Sequence, residues 1–89
     1  MPWYVYILQS QADSTYYKGS SERPLQRLQE HNAGCCQSTA ARRPWNLVYV
    51  EELPSKKEML IREKKVKRGH AAYFQQLING EKNILKTLT

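Results

Sequence analysis

The first residues in the chain that could carry chemistry are two phenols, Tyr6 and Tyr17. They lie in two runs, residues 3–8 and 16–20, whose β-branched and aromatic composition predicts strands joined by a short polar turn. Gly19 in the second run indicates either a bulge or a close approach of backbone or ligand. Such a hairpin would form a candidate site, although a phenol with its usual pKa of about 10 is a poor base unless its surroundings perturb it. The alternative is that these tyrosines are cross-strand packing pairs.

A cation and an imidazole follow at helical spacing. Residues 22–32 predict a helix, because serines that can cap it precede it and a glycine follows it. Leu25 and Leu28 would face the core. Arg27 and His31 are four residues apart at the edge of that apolar stripe, so both could point at one ligand. The alternative is that they belong to a solvated helix face.

A later helix carries a carboxylate in an unexpected place. Met59, Leu60 and Val66 define its apolar arc at the helical period, and Glu63 falls in the middle of that arc. A carboxylate turned toward a core costs several kcal/mol unless it is paired or ligated. One possible partner is Lys67, one turn further along. The other is a divalent cation such as Mg²⁺, which prefers oxygen ligands.

Residues 34–44 contain hydroxyls and cations without any apolar period, so they predict a loop. Ser38, Thr39, Arg42 and Arg43 in this loop are of the types that hold a phosphate backbone without reading bases. A loop that is simply well solvated would have a similar composition.

The scaffold for these groups is predicted to be α/β. Alternating residues predict a strand over residues 45–53, with Leu47 and Tyr49 on the same face. A helix capped by Ser55 extends to about residue 68, and another spans residues 71–78. The order is therefore ββαβα plus a C-terminal helix. We expect one domain over the 89 residues, with a small three-stranded, mainly antiparallel sheet flanked by helices.

Composition favours a polyanionic partner. The 89 residues include 14 Lys and Arg against 8 Asp and Glu, which gives a formal net charge of +6. This balance predicts a nucleic-acid partner. No apolar run approaches the ~20 residues that a membrane span needs, so we expect a soluble, cytoplasmic protein without a membrane partner. Cys35 and Cys36 are adjacent and lack the spacing of a zinc site, so we interpret them as incidental thiols.

Five segments, in order, resemble the GIY-YIG nuclease family, in particular its small standalone bacterial members, which are described as predicted endonucleases. The matching strings are YVY at residues 4–6, YKG at 17–19, QRLQEHNAG at 26–34, RPWNLVYVE at 43–51 and REKKVK at 62–67. The chain departs from the family pattern where Tyr4 replaces a glycine and where Lys18 replaces an apolar residue. Lys18 either adds a charge beside the site, where it could contact nucleic acid, or points outward. Asn79 is a poor match to a late asparagine of the family.

The resemblance implies a role for each candidate residue. Tyr6 would activate the attacking water, as the general base or beside it, and Tyr17 would position phosphate or water. Arg27 would neutralise charge on the transition state. His31 would assist proton transfer or hold the phosphate. Glu63 would be the sole protein ligand of one Mg²⁺ or Mn²⁺ ion.

The implied activity is metal-dependent hydrolysis of DNA phosphodiester bonds, selective for structure rather than sequence, in DNA repair or processing. One alternative is a module of the same fold that binds nucleic acid without cutting it. Another is a protein-interaction domain whose basic face meets an acidic partner. The sequence leaves the oligomeric state open.

Overall fold

The first strand of the predicted hairpin is the central strand of the sheet. A computed structural model describes residues 2–85. In chain order the elements are β1 Trp3–Ser10, β2 Tyr16–Ser21, α1 Pro24–Asn32, α2 Gln37–Ala40, β3 Trp45–Leu53, α3 Lys56–Lys67 and α4 Ala71–Ile78. Both β2 and β3 pair with β1, and both run antiparallel to it. The predicted α/β fold with a three-stranded sheet and flanking helices is confirmed.

The register of the hairpin gathers the predicted phenols. Tyr6 lies opposite Gly19 on β2, and Leu8 lies opposite Tyr17. Because side chains alternate between the two faces of a strand, Tyr6, Tyr17 and Gly19 all belong to one face.

The sheet separates two hydrophobic cores. On the side covered by α3 and α4, the core consists of Val5, Ile7, Tyr49, Met59, Val66 and Phe74. We call this side the α3 face. On the other side, which we call the α1 face, Leu28 of α1 packs against the buried residues Tyr6, Leu8, Trp45 and Val50.

One irregularity in β3 changes which side chains share a face. Tyr49 lies opposite Ile7, but the next pair along the strand joins Leu8 to Leu47, so Val48 is skipped. This β-bulge turns Leu47 to the α1 face, whereas Tyr49 packs on the α3 face. The prediction that Leu47 and Tyr49 share a face is therefore wrong, because simple alternation does not include the extra residue.

The start and the buried face of α1 differ from the prediction. The helix begins at Pro24 rather than at residue 22. Leu25, which we expect in the core, is 41% exposed. The helix instead turns Pro24, Leu28 and His31 toward the sheet, at the i, i+4 and i+7 spacing of one helix face.

The other helices follow the predicted bounds closely. Ser55 caps α3 by accepting a hydrogen bond from the N–H of Glu58 at 3.2 Å. Met59 and Val66 are buried as predicted, but Leu60 is 45% exposed and does not belong to the core. α4 spans the predicted residues and buries Phe74. The predicted loop over residues 34–44 contains the short helix α2.

No helix among residues 2–85 has both the length and the apolar character needed to cross a membrane.

Candidate active site

A buried histidine joins the hairpin to α2. His31 on α1 is fully buried. Its Nε2 lies 3.3 Å from the hydroxyl of Tyr6, and its Nδ1 lies 2.9 Å from Oγ1 of Thr39. Thr39 is also buried, and its hydroxyl lies 3.2 Å from the carbonyl oxygen of Cys36. Tyr6, His31 and Thr39 therefore form one continuous hydrogen-bonded chain.

This network fixes the tautomer of the imidazole. The single hydroxyl proton of Thr39 is donated to the Cys36 carbonyl, so the Thr39 oxygen accepts the Nδ1–H of His31. The neutral ring then presents an unprotonated Nε2 that accepts the hydroxyl proton of Tyr6. Burial lowers the pKa of His31 below its ordinary value of 6.5, and the charge of Arg27 lowers it further. His31 is thus a neutral base whose lone pair points at a phenol.

Arg27 supplies a fixed positive charge beside that phenol. Its Nη1 donates to Oε1 of Glu30 at 2.5 Å, and its Nη2 lies 3.5 Å from Sγ of Cys36. Hydrogen bonding with Tyr6, and then with Glu30, raises the pKa of Arg27 above its usual range. Burial raises the pKa of Tyr6, and the Arg27 guanidinium opposes that rise. The phenol therefore holds its proton between a cation and a neutral base.

Tyr17 completes the cluster on the α1 face. Its ring centroid lies 4.8 Å from that of His31, and the two rings are inclined by 58°. A Cβ at Gly19 would lie 2.7 Å from the Tyr6 hydroxyl oxygen and 3.2 Å from Cε2 of Tyr17. A residue without a side chain is therefore required at position 19 for the two phenols to stand beside it.

Two residues outside the predicted set, Asn32 and Trp45, hold α1 and α2 in place. Asn32 accepts the N–H of Trp45 at 2.5 Å and donates to the Trp45 carbonyl at 3.1 Å. The indole N–H of Trp45 donates to the Thr39 carbonyl at 3.0 Å. These contacts join the end of α1, the start of β3 and α2 around His31. No local sequence signal identifies them, because they connect residues that are distant in the chain.

A recess of about 380 Å³ opens at the end of β2, next to this cluster. Its lining residues are Trp3, Ser20, Ser21, Glu22, Arg23, Gln26 and Arg27. The Ser20 hydroxyl donates to Oε2 of Glu63. Ser20 therefore connects the recess to the predicted metal-binding carboxylate.

Glu63 lies on the opposite side of the sheet from Tyr6, Tyr17, Arg27 and His31. Ser20 directly follows Gly19 in β2, so its side chain points to the α3 face, where Glu63 meets it. The structure thus brings Tyr6, Tyr17, Arg27 and His31 together and places Glu63 beyond the edge strand. The Glu63 side chain is 17% exposed and its Oε1 lies 3.4 Å from Nζ of Lys67, so the ion pair that the sequence suggests is present.

The donor set at Glu63 fits a hard divalent cation. Its oxygens retain lone pairs beyond the hydrogen bond from Ser20 and the ion pair with Lys67. Within residues 2–85, no three His, Cys, Asp or Glu side chains converge on one point. The groups present therefore suit a cation that takes one protein carboxylate and completes its shell with water and phosphate.

The predicted phosphate contacts of the α2 region separate into two kinds. Ser38, Arg42 and Arg43 are exposed, and Arg42 lies 3.6 Å from a carboxylate oxygen of Asp13. Thr39, in contrast, is 2% exposed. The assignment of Thr39 as a phosphate contact is therefore corrected, because its hydroxyl is enclosed and already bonded to His31.

Two further residues lie away from the cluster. The Lys18 ammonium lies 5.2 Å from the centre of the Phe74 ring, on the α3 face, so it does not stand beside the phenols. Asn79 is the exposed C-cap residue of α4. Asn83 is the more firmly held asparagine, since its side chain bonds to the backbone of both Val48 and Val50.

Known proteins are similar to this chain over most of its length. The profile of the GIY-YIG catalytic domain matches residues 2–79. A UPF0213 protein of Syntrophus aciditrophicus is 42% identical over 77 residues, which cover 84% of this chain and 87% of that protein. A UPF0213 protein of Halobacterium salinarum is 36% identical over 75 residues, which cover 83% and 96% of the respective chains.

A solved structure also resembles the fold. The solution NMR structure of a UPF0213 protein from Bacillus halodurans matches with a TM-score of 0.59 and 30% sequence identity. The match covers 100% of this chain and 95% of that chain. On these matches, together with the paired tyrosine triplets and the helix that carries Arg27 and His31, the chain belongs to the GIY-YIG nuclease family as a small UPF0213-type member.

Proposed function

We propose that the protein is a divalent-metal-dependent endonuclease that hydrolyses phosphodiester bonds in DNA. The observation that carries this proposal is the buried chain Tyr6–His31–Thr39 with Arg27 beside the phenol. A neutral base hydrogen-bonded to a phenol is a pair that can accept a proton from water, and a fixed cation suits a reaction that develops negative charge on phosphate.

Each residue then has a defined task. Tyr6 orients the attacking water and receives its proton while passing its own hydroxyl proton to Nε2 of His31. Thr39 is a positioning residue, because it holds His31 in the tautomer that leaves Nε2 open. Tyr6 is 1% exposed, so its hydroxyl must be uncovered before water and phosphate can reach it. In this proposal, the neighbouring Arg27 uncovers the hydroxyl by turning onto the phosphate. Arg27 is only partly buried and therefore has room for this movement.

Glu63, with the Ser20 hydroxyl beside it, would hold Mg²⁺ or Mn²⁺. When bound there, the cation supplies Lewis-acid polarisation of the scissile phosphate and stabilises the leaving oxygen. The recess lies between Arg27 and Ser20 and would accept the phosphate.

Exposed Ser38, Arg42 and Arg43 add cationic and hydroxyl contacts to the DNA backbone. Such contacts do not read bases, so selectivity would depend on DNA structure, as suits a cytoplasmic enzyme of DNA repair or processing.

A second candidate function is a nucleic-acid-binding module of the same fold that does not cut. The observation that favours it is that the two charged groups most needed for catalysis are engaged within the protein. Arg27 is bonded to Glu30, and Glu63 is bonded to Ser20 and Lys67.

Cleavage of labelled single-stranded, duplex and flapped DNA with Mg²⁺, Mn²⁺ or EDTA tests the proposal. We expect cutting that requires metal and that falls by a factor of about 10² or more in Arg27→Ala and in Glu63→Ala. Glu58→Ala is the matched control, because it removes a carboxylate from the exposed side of the same helix. Binding without cutting by the wild type under every condition would establish the second function instead.

A further inference from the structure

Helix α3 and its C-cap carry half of the chain's cations. Seven of the 14 Lys and Arg residues lie in this segment of 13 residues, namely Lys56, Lys57, Arg62, Lys64, Lys65, Lys67 and Arg68. Four of the seven lie in the string REKKVK that resembles the family, but only Glu63 of this helix belongs to the candidate site. The concentration of charge therefore needs a separate explanation.

Most of these cations lie on one side of the helix. With about 100° between successive residues, Lys56 and Lys67 lie in the same row as Glu63, and Lys57, Lys64 and Arg68 lie in the next row. All five are exposed. We call these five residues the basic flank of α3. The opposite flank is mixed, because Glu58 and Glu51 lie there with Arg62 and Lys65 around a second recess.

The basic flank is continuous with the catalytic recess at two points. The Lys56 ammonium lies 5.7 Å from the centre of the Trp3 ring, and Trp3 lines the recess. Lys67 pairs with Glu63, which is bonded to Ser20 of the recess.

The second row of the basic flank carries positive charges that no carboxylate of the described residues neutralises. Within residues 2–85, Lys57, Lys64 and Arg68 form no salt bridge. From residue 57 to residue 68 the helix rises about 16 Å, which matches about five nucleotides of a DNA strand at ~3.4 Å each. Long, unpaired cations in a row of that length suit the phosphates of a nucleic-acid strand better than a compact anion.

We propose that the basic flank of α3 is the surface along which the DNA backbone lies as it leaves the catalytic recess. The inference rests on the proposed nuclease function for the identity of the polyanion, and it adds the direction of the bound strand. The strand crosses the edge strand β2 at Ser20 and continues over Lys67 toward Lys64 and Arg68.

Two double variants of equal charge test this surface. Lys64→Ala with Arg68→Ala removes two cations from the basic flank. Lys65→Ala with Lys82→Ala removes two exposed cations that line the second recess. Each pair lowers the formal net charge of +6 by the same amount. None of the four residues belongs to the catalytic cluster, and none forms an ion pair with the Glu63 carboxylate.

Binding of a fluorescein-labelled DNA duplex is measured by anisotropy in EDTA over a series of salt concentrations, so that cleavage does not interfere. We expect the flank variant to lose about tenfold or more in affinity near 0.1 M salt, and its slope of log K against log salt to become shallower by up to about 2. The control variant should stay within about twofold of the wild type. Far-UV circular dichroism checks that both variants keep their helices.

Equal losses in the two variants would overturn the inference, since net charge alone would then explain binding. A flank variant that binds like the wild type, or a wild type that binds no DNA, would also overturn it. A wild type that binds through the flank but cuts no DNA would remove the proposed nuclease function and leave the binding surface in place.

Discussion

His31 shows how one buried residue can link stability to protonation. It is fully enclosed, it donates from Nδ1 to Thr39, and its Nε2 is occupied by the Tyr6 hydroxyl. A second proton on the ring would meet the Tyr6 hydroxyl, and the neighbouring guanidinium of Arg27 would repel it. Burial and Arg27 therefore hold the pKa of His31 below 6.5 in the folded protein.

The first prediction concerns stability on acidification. Because the folded pKa lies below the unfolded value of 6.5, the unfolded chain binds more protons in the window between the two values. The stabilisation from neutral His31 is complete above that window and is lost as the pH falls through it, by up to about 1.4 kcal/mol for each pH unit. The pKa values of Asp13 and Glu30 are also lowered, but these carboxyls titrate at lower pH.

Thermal unfolding from about pH 8 to about pH 5 measures this effect. We expect Tm to fall with pH in the wild type and to change much less in His31→Gln. The control is His70→Gln, which removes the exposed histidine and should retain the wild-type slope. A wild-type slope in His31→Gln would show that another group controls the transition.

At the scale of elements, the position of the Tyr6 phenol depends on the close approach of β1 and β2. The Tyr6 ring lies over the backbone of β2, and the phenol reaches His31 only because Gly19 leaves that space empty. Gly19 is itself buried, and the ring of Tyr17 stands on its other side. A methyl group at position 19 would therefore meet the side chains of both tyrosines.

The second prediction is that Gly19→Ala impairs the site and the fold together. Its Cβ would lie 2.8 Å from Cζ of Tyr6, so the ring must shift away from His31. We expect a loss of about 1–3 kcal/mol in the free energy of unfolding and a larger relative loss of DNA cleavage. Urea denaturation and the cleavage assay measure the two effects.

Gly80→Ala is the control for this substitution. A Cβ there would lie 3.2 Å from the carbonyl oxygen of Gln76, at an exposed position after α4. We expect a change within about 1 kcal/mol and unchanged cleavage. Equal behaviour of the two alanine variants would contradict the steric role of Gly19.

At the scale of the whole molecule, the segment after α4 is hydrogen-bonded to one edge of the sheet, at the middle of β3. β3 is an edge strand, and the carbonyl of Val50 accepts the N–H of Ile84 at 2.9 Å. Asn83 accepts the N–H of Val50 at 3.2 Å and donates to the carbonyls of Val48 and Ile78, each at 3.0 Å. The segment therefore satisfies backbone groups at the β-bulge that would otherwise be left without partners.

The third prediction is that Asn83→Ala destabilises the protein by about 2–4 kcal/mol, because it removes several hydrogen bonds to partly buried backbone groups at once. Urea denaturation measures this loss, and amide hydrogen exchange should show faster exchange at Val50. Asn79→Ala is the matched control, since that asparagine is an exposed C-cap residue. A similar loss in both variants would mean that the edge contacts of Asn83 contribute little.

Local patterns in the sequence were sufficient to predict most of the helices and strands. The bounds predicted for β3 and α4 are those of the structure, because each segment has its own periodicity and its own flanking Pro, Gly or cap residue. The same local rules place Tyr6, Tyr17 and Gly19 on one face of a hairpin, since the side-chain period of a strand is two residues. Arg27 and His31 stay close for the corresponding reason in a helix.

Other features depend on which distant segments meet, and only the tertiary structure decided them. The bulge at Val48, the enclosure of Thr39 under His31 and the exposure of Leu25 and Leu60 follow from register and packing between elements far apart in the chain. The sequence identifies Glu63 as an unusual carboxylate because its helix has a period of its own. Its position across β2, bonded to Ser20, is set by the packing of α3 on the sheet, which no local pattern contains.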